Sequence, residues 1–293
     1  MAKSPTVTKA EEEVQTAGAV ATVASAGLPA DIADEFLADA GAGMESVGAQ
    51  DLQIPFIGIL QALSPQCKTR EPTYIEGAKD GMFFNNVTQE MYDGDVGIFV
   101  IPVYYMRRYT QWKPRDDGGG LQHDYGQDDS ILQQTTKNDK MQDVLTNGDV
   151  IRTSGDHFVF LVDKETGSYE RAVISMSSTQ LKKSKRWNTM MKKLQVSRPD
   201  GKGVFTPASF YKVYHLTTVG ESNKKGSWSG YSIAADADTI SLPNGIDIYR
   251  AAKEFCEAIK SGAVKVAPPQ DDGLEQGDDS TGVKDIDPDA VPI

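Results

Sequence analysis

Residues 157–202, HFVFLVDKETGSYERAVISMSSTQLKKSKRWNTMMKKLQVSRPDGK, decide how this chain is read. His157 to Val162 and Tyr169 to Met176 are short apolar runs separated by turn residues at Asp163 to Gly167, the pattern of a β-hairpin. Directly after it, Thr179 to Lys202 carries eight Lys or Arg against one acid, Asp200. On a helix at about 100° per residue, Lys182, Lys185, Arg186, Lys192 and Lys193 fall on one arc, and Trp187, Met190, Met191 and Leu194 on the opposite one. One side can pack and the other can hold phosphates. Thr179 or Ser178 is the expected N-cap, and Pro199 with Gly201 and Gly203 ends the element. A lone helix with a solvated charged face would look the same, so the flanking segments have to decide.

Downstream, Phe210 to Val219, the loop GESNKKG and Ser227 to Ala234 make a second hairpin. Ile246 to Lys260 places Ile248, Ala252, Phe255 and Ile259 at helical spacing, with Gly262 as the stop. Upstream, Gly97 to Trp112, GIFVIPVYYMRRYTQW, is long enough for a bent strand, and Pro102 marks a bulge or an edge. Residues 114–150 hold Gly118 to Gly120, many Gln, Asp and Asn and few large apolar groups, so they read as a long loop excursion. Gly81 to Gly94 reads as a short strand, a kink at Asn85 and Asn86, and a turn. Leu52 to Leu63 is apolar, but Pro55 and Gly58 oppose a regular helix. Asp31 to Ala40 is a candidate short helix.

The order long strand, hairpin, helix, hairpin is that of an OB barrel, whose helix lies between the third and fourth strands. The fold class expected is therefore mainly β with α, an OB-like barrel with an inserted basic helix and a C-terminal helix. Residues 51–265 form this domain. Residues 1–50 are expected to be a disordered or weakly structured acidic segment, and residues 266–293 a disordered acidic tail.

Charge supports that division. The formal net charge of the 293 residues is -12. Residues 1–50 have eight acids against Lys3 and Lys9, and residues 268–293 have eight against Lys284. Those segments net -6 and -7, which leaves the middle at about +1. An acidic whole chain thus hides a near-neutral domain with a basic patch.

Catalytic signatures are scarce. Cys67 and Cys256 lie far apart, and His123, His157 and His215 sit in unrelated contexts with no HExxH, so neither a metal site nor a cofactor is expected. There is no P-loop and no GxSxG, and acid pairs such as Asp116 and Asp117 fall in the polar excursion. The Ala-rich run before residue 30 follows Glu11 to Glu13 where an export signal would be basic. No apolar stretch approaches the roughly 18 residues of a membrane span. The expectation is a cytoplasmic, non-catalytic protein.

Binding of single-stranded nucleic acid needs a positive groove and flat side chains on which bases stack. Tyr109 and Trp112 lie among Arg107, Arg108 and Lys113, and Trp228 follows Lys224 and Lys225. Together with Lys182, Lys183, Lys185, Arg186, Lys192 and Lys193, these are the candidate contacts. Phe158 and Phe160 lie in a run apolar on both faces and are expected in the core.

The end of the sequence, Asp285 to Ile293, is DIDPDAVPI, acids followed by an apolar tip. It resembles the bacterial and T7-type phage single-stranded DNA-binding proteins, an OB core followed by an acidic tail. The bacterial tails end in acids, Ile, Pro and Phe, whereas Val291, Pro292 and Ile293 end this one, a departure at the final residue. The stretches DLQIPFIGILQALSPQ, YIEGAKDGMFFNNVTQEMYDG, IPVYYMRRYTQW and STQLKKSKRW, within residues 50–262, also resemble a family of phage proteins to which that role is sometimes assigned.

The resemblance implies a phage protein in the host cytoplasm that coats single strands during replication or recombination. It also implies a tail, Asp285, Ile286, Asp287, Asp289, Val291, Pro292 and Ile293, that competes with DNA and recruits a polymerase or helicase-primase. A homo-oligomer stays open, as do a virion structural or assembly protein and a metal-dependent nuclease.

Overall fold

The structure, a computed structural model, describes residues 32–47, 53–223, 226–264 and 266. A short helix α1 (Ala33–Ala38) precedes a small antiparallel sheet of β1 (Ile57–Ile59), β2 (Phe83–Asn85) and β3 (Met91–Tyr92). The long strand β4 (Ile98–Trp112) follows, then β5 (Leu121–Gly126), β6 (Thr136–Lys137) and β7 (Asp143–Val144). The first hairpin is β8 (Val150–Val162) and β9 (Tyr169–Ser177), and it leads into α2 (Leu181–Lys193). A two-stranded ribbon, β10 (Val196–Ser197) and β11 (Val204–Phe205), connects to the second hairpin, β12 (Lys212–Asn223) and β13 (Gly226–Asp238). Helix α3 (Gly245–Lys260) closes the domain.

Strand β4 pairs with three others, β8, β12 and β5. Along one edge it pairs with β8 from Val100↔Leu161 to Trp112↔Val150. It also pairs with β12 over Ile98 to Val100 and with β5 over Tyr109 to Trp112. With β9 beside β8 and β13 beside β12, the central order is β9-β8-β4-β12-β13. This is a mainly β fold with a curled, half-barrel sheet and few helices, the OB-like class expected. Pro102 sits at a bulge, where the register against β8 shifts between Pro102 and Tyr104, so its missing N–H costs no ladder bond.

Both faces of the sheet are buried, because FVFLV in β8 is apolar without alternation. On one face Ile101, Val103, Phe158 and Phe160 pack under Ile248, Ala252 and Phe255 of α3. On the other, Val100, Val159, Ile174, Met176 and Leu216 enclose Trp187 of α2, together with Ile57, Ile59 and Phe83 of the small sheet. The strand read from Gly81 is β2, which pairs with β3 through Phe83↔Tyr92 and Phe84↔Met91 and so belongs to this small sheet, apart from the half-barrel.

The half-barrel is joined across its gap by side chains and one isolated bridge, Phe56↔Val173. The Gln61 amide donates to the Ser229 carbonyl and accepts from its N–H, both at 2.9 Å. The Gln180 side-chain oxygen accepts from the N–H of Tyr231 at 3.0 Å. Two glutamines thus satisfy backbone groups of β13 that a neighbouring strand would otherwise pair. A Cβ at Gly230, between those two residues, would press on the Glu221 and Gln180 side chains.

Residues 114–150 differ from the loop excursion expected. Their β5 pairs with the far half of β4, and β6 and β7 extend from the start of β8. Ile131 and Ile151 then bury Tyr109. Among the described residues, no helix is long and apolar enough to cross a membrane.

Candidate nucleic-acid interface

Helix α2 is fixed in rotation by what lies beneath it. Trp187 is fully buried, stacked on His157 at 4.3 Å between ring centroids and edge-on to Tyr214 at 5.6 Å. Ser184 shares a 2.8 Å hydrogen bond with His157 Nε2. A Cβ at Gly155 would collide with the Ser184 hydroxyl, so this glycine is what lets α2 approach β8 so closely. Burial pushes the His157 pKa down to about 3, and the ring is neutral near pH 7.

That anchoring turns Lys182, Lys185, Arg186, Lys192 and Lys193 outward, where all five are exposed. The helix begins later than the expected cap: Ser178 to Gln180 form a 3-10 turn, and no side chain caps α2. Gln180 is instead committed to β13.

Lys183 leans into the neighbouring hairpin and pairs with Glu221 of β12 at 2.7 Å. Glu221 also accepts from the Trp228 indole N–H of β13 at 2.9 Å. Burial works to raise the Glu221 pKa, but the hydrogen bonds from Lys183 and Trp228 outweigh it and hold the carboxyl below its ordinary range. Thr179, Lys182, Lys183, Glu221, Ser222 and Trp228 line a cleft of about 360 Å³. It brings together two of the predicted cations and one predicted ring, with Trp228 half-buried. Glu221 is the member that sequence reading missed. Its signal is faint: it lies directly opposite Trp228 in the β12–β13 register.

Three other candidates are corrected. Tyr109 and Trp112 are each 4% exposed, and Arg108 is 5% exposed. Tyr109 is covered by the excursion, while Trp112 lies under the Arg152 guanidinium, 4.6 Å from its ring centroid, with its N–H on the Thr110 hydroxyl. Neither ring can take a base. Arg108 points to the α3 side, with Nη1 3.5 Å from Asp156 and Nε 3.7 Å from Asp124, and Nη2 donates to the Val266 carbonyl at 3.2 Å. Burial pushes the Asp156 carboxyl up, against the opposing pull of Arg108 and two serine hydroxyls. Arg108 is thus an internal counter-ion and not a phosphate contact.

Arg107 and Lys113 are exposed as expected. Lys224, Lys225 and the tail from Asp285 to Ile293 lie outside the described residues, as do most residues of the two expected disordered ends.

A second cleft, about 440 Å³, includes Tyr92, Phe99, Lys164, Tyr169 and Glu170 in its lining. Its lining holds Asp163, Glu165 and Glu170 against Lys164, which makes this cleft unsuited to phosphate. Among the described residues, no group of three or more His, Cys, Asp or Glu is placed to hold a metal ion.

The same segments that build this geometry carry a family signature. A model described as Pam3 phage gp34-like protein matches residues 23–265. The chain belongs to the Pam3 phage gp34-like family. No curated protein and no solved structure matches it. Family membership makes this a phage protein, and the match to the gp34-like model covers the whole half-barrel with both of its covering helices.

Proposed function

We propose that this gp34-like protein binds single-stranded DNA without strong sequence preference and acts in the host cytoplasm during phage replication or recombination. The observation that carries the reading is α2: six Lys or Arg and no acid on one helix, five of them held outward beside a cleft that contains Trp228. Phosphate charge and base faces are common to all sequences, so a cationic face beside a flat ring binds strands generally. The OB-like half-barrel supports the same reading, since such folds commonly present strands and loops to oligonucleotides. A virion protein would be equally at home in a phage family, but a helix with six bases and no acid favours a polyanionic partner.

The acidic segment 268–293 completes the proposal as a competitor for the basic face and a recruiter of replication proteins. In sequence it follows Val266, the last described residue, whose carbonyl is held by Arg108. Extended, its 26 residues would span at most roughly 90 Å.

Fluorescence anisotropy with labelled oligo(dT) tests the reading. The expected result is micromolar or tighter binding that weakens with salt, at about 0.7 log units per log unit of salt for each phosphate contacted. Absence of binding at micromolar protein, or binding indifferent to salt, overturns it. A chain ending at residue 267 should bind several-fold more tightly, and unchanged affinity removes the competing role of the tail.

A further inference from the structure

With Tyr109 and Trp112 sealed in the core, the basic face lacks the stacking platforms expected from β4. The ribbon after α2 offers one. β10 and β11 pair with each other as a separate two-stranded sheet, in the register Val196↔Phe205 and Ser197↔Val204. Directly opposite residues share a face, so Phe205 stands beside Val196, and Val204 beside Ser197 on the reverse. Phe205 is 41% exposed and Val204 58%.

A two-residue ribbon in which only Val196 is half-buried is marginal by itself, and exposing a phenyl ring there forgoes burial that a core position would provide. The cations set the context for that exposure. The ribbon follows Lys192 and Lys193 with two residues between, and its turn carries Arg198 and Lys202 with one acid, Asp200. Asp200 is occupied by Arg198, at 3.4 Å, and by the N–H of Lys202, at 3.0 Å. Gly201 and Gly203 adopt φ of 71° and 102°, which lets the turn close tightly with Arg198 N–H on the Gly203 carbonyl. The result is a flat apolar ring on a projecting ribbon whose surroundings from Lys192 to Lys202 carry four cations against one acid.

We infer that the β10–β11 ribbon is part of the strand-binding surface and that Phe205 is a base-stacking residue on it, continuing the path laid out by α2. The inference rests on the single-stranded DNA reading and adds its missing ring. A ring on a ribbon whose turn and preceding helix end carry cations matches an unpaired strand, which offers one phosphate and one base face per nucleotide. A second copy of this chain would bring the same positive charge to the same place, which disfavours it as the occupant.

The experiment compares the full-length chain with its Phe205→Ala, Phe205→Leu and Phe205→Tyr variants, each confirmed folded by circular dichroism. Probes are oligo(dT) and an abasic phosphodiester strand of equal length. Stacking predicts that Phe205→Ala and Phe205→Leu weaken oligo(dT) binding roughly five-fold or more, leave the abasic strand unchanged, and that Phe205→Tyr binds as the parent does. Equal loss on both probes, or retention by Phe205→Leu, overturns stacking. Unchanged oligo(dT) affinity in all variants overturns the ribbon's role while leaving α2 intact, and a change confined to sedimentation assigns the ribbon to contacts between copies. If the parent chain binds neither probe, the single-stranded DNA reading falls and the ribbon's role with it.

Discussion

Helices α2 and α3 do the same structural job on opposite faces of one sheet, and they differ in what they show to water. Outward on α3 are Asp247, Arg250, Lys253, Glu254, Glu257 and Lys260, three acids and three bases, with Arg250 on Asp247 and Lys260 on Glu257 at 3.1 Å. Helix α2 has six bases and no acid. Its Lys182 and Lys183 sit in the first turn, where the helix dipole disfavours cations, and Lys182 faces Lys185 and Arg186 at like-charge spacing. Sealing a sheet asks for nothing more than α3 supplies. Lys192 and Lys193 suit the last turn, but the cations of the first turns work against their own helix, which is why they point to a partner.

The comparison can be tested through the anchors first. Trp187→Ala removes the ring that fixes α2, and Phe255→Ala the one that fixes α3. Each is expected to cost about 3 to 5 kcal/mol, read from urea unfolding. A cost under about 1 kcal/mol for Trp187→Ala would mean that the outward turn of α2 is not set from below.

The anchors also differ in what they titrate. His157 under α2 has a folded pKa of about 3, below its unfolded value near 6.5. The native state therefore binds fewer protons than the unfolded one between those limits. His157 accordingly contributes stability above pH 6.5 that is lost as pH falls toward 3, by about 1.4 kcal/mol per pH unit. Urea unfolding from pH 6.5 to 4.5 should show a shallower fall in His157→Phe than in the parent, and equal slopes would contradict the buried neutral ring.

A charge exchange gives the smallest energies and the sharpest contrast. Lys182→Glu, Lys185→Glu and Lys192→Glu together should weaken oligo(dT) binding roughly tenfold or more. The Lys182→Glu change, examined alone, should leave stability equal or raise it by about 0.3 to 1 kcal/mol, because an acid then meets the helix N-terminus. Arg250→Glu, Lys253→Glu and Lys260→Glu on α3 should leave oligo(dT) affinity within about twofold. Equal losses on the two helices would erase the distinction between them.

Much of this was legible in the residues. The apolar runs and turn chemistry of residues 157–176 and 210–234 located both hairpins, and the apolar spacing of Trp187, Ile248 and Phe255 located both helices with the correct buried faces. Strand lengths were less legible: β8 begins at Val150, seven residues before the apolar run at His157, because its first half is polar and paired by backbone bonds that leave no side-chain pattern. The failure at Tyr109 and Trp112 has the same root. LQHDYG of β5 has no strand signature, yet its pairing, and the packing of Ile131 that comes with the excursion, remove part of β4 from water. Arg107 and Arg108 are adjacent and identical in type, and alternation sends them to opposite faces. Which of the two meets water depends on the bulge upstream, whose effect on register composition does not reveal.

The amides of Gln61 and Gln180 have a consequence for the life of the protein in a crowded cell. The outer edge of a sheet is a template on which another chain can add a strand, and long exposed edges invite aggregation. Ser229 and Tyr231 stand two apart on β13, the spacing at which an incoming backbone would pair, and both are already taken. Glutamate in place of Gln61 would lack the donor and leucine would lack both groups, so either change would leave Ser229 free to recruit a stranger.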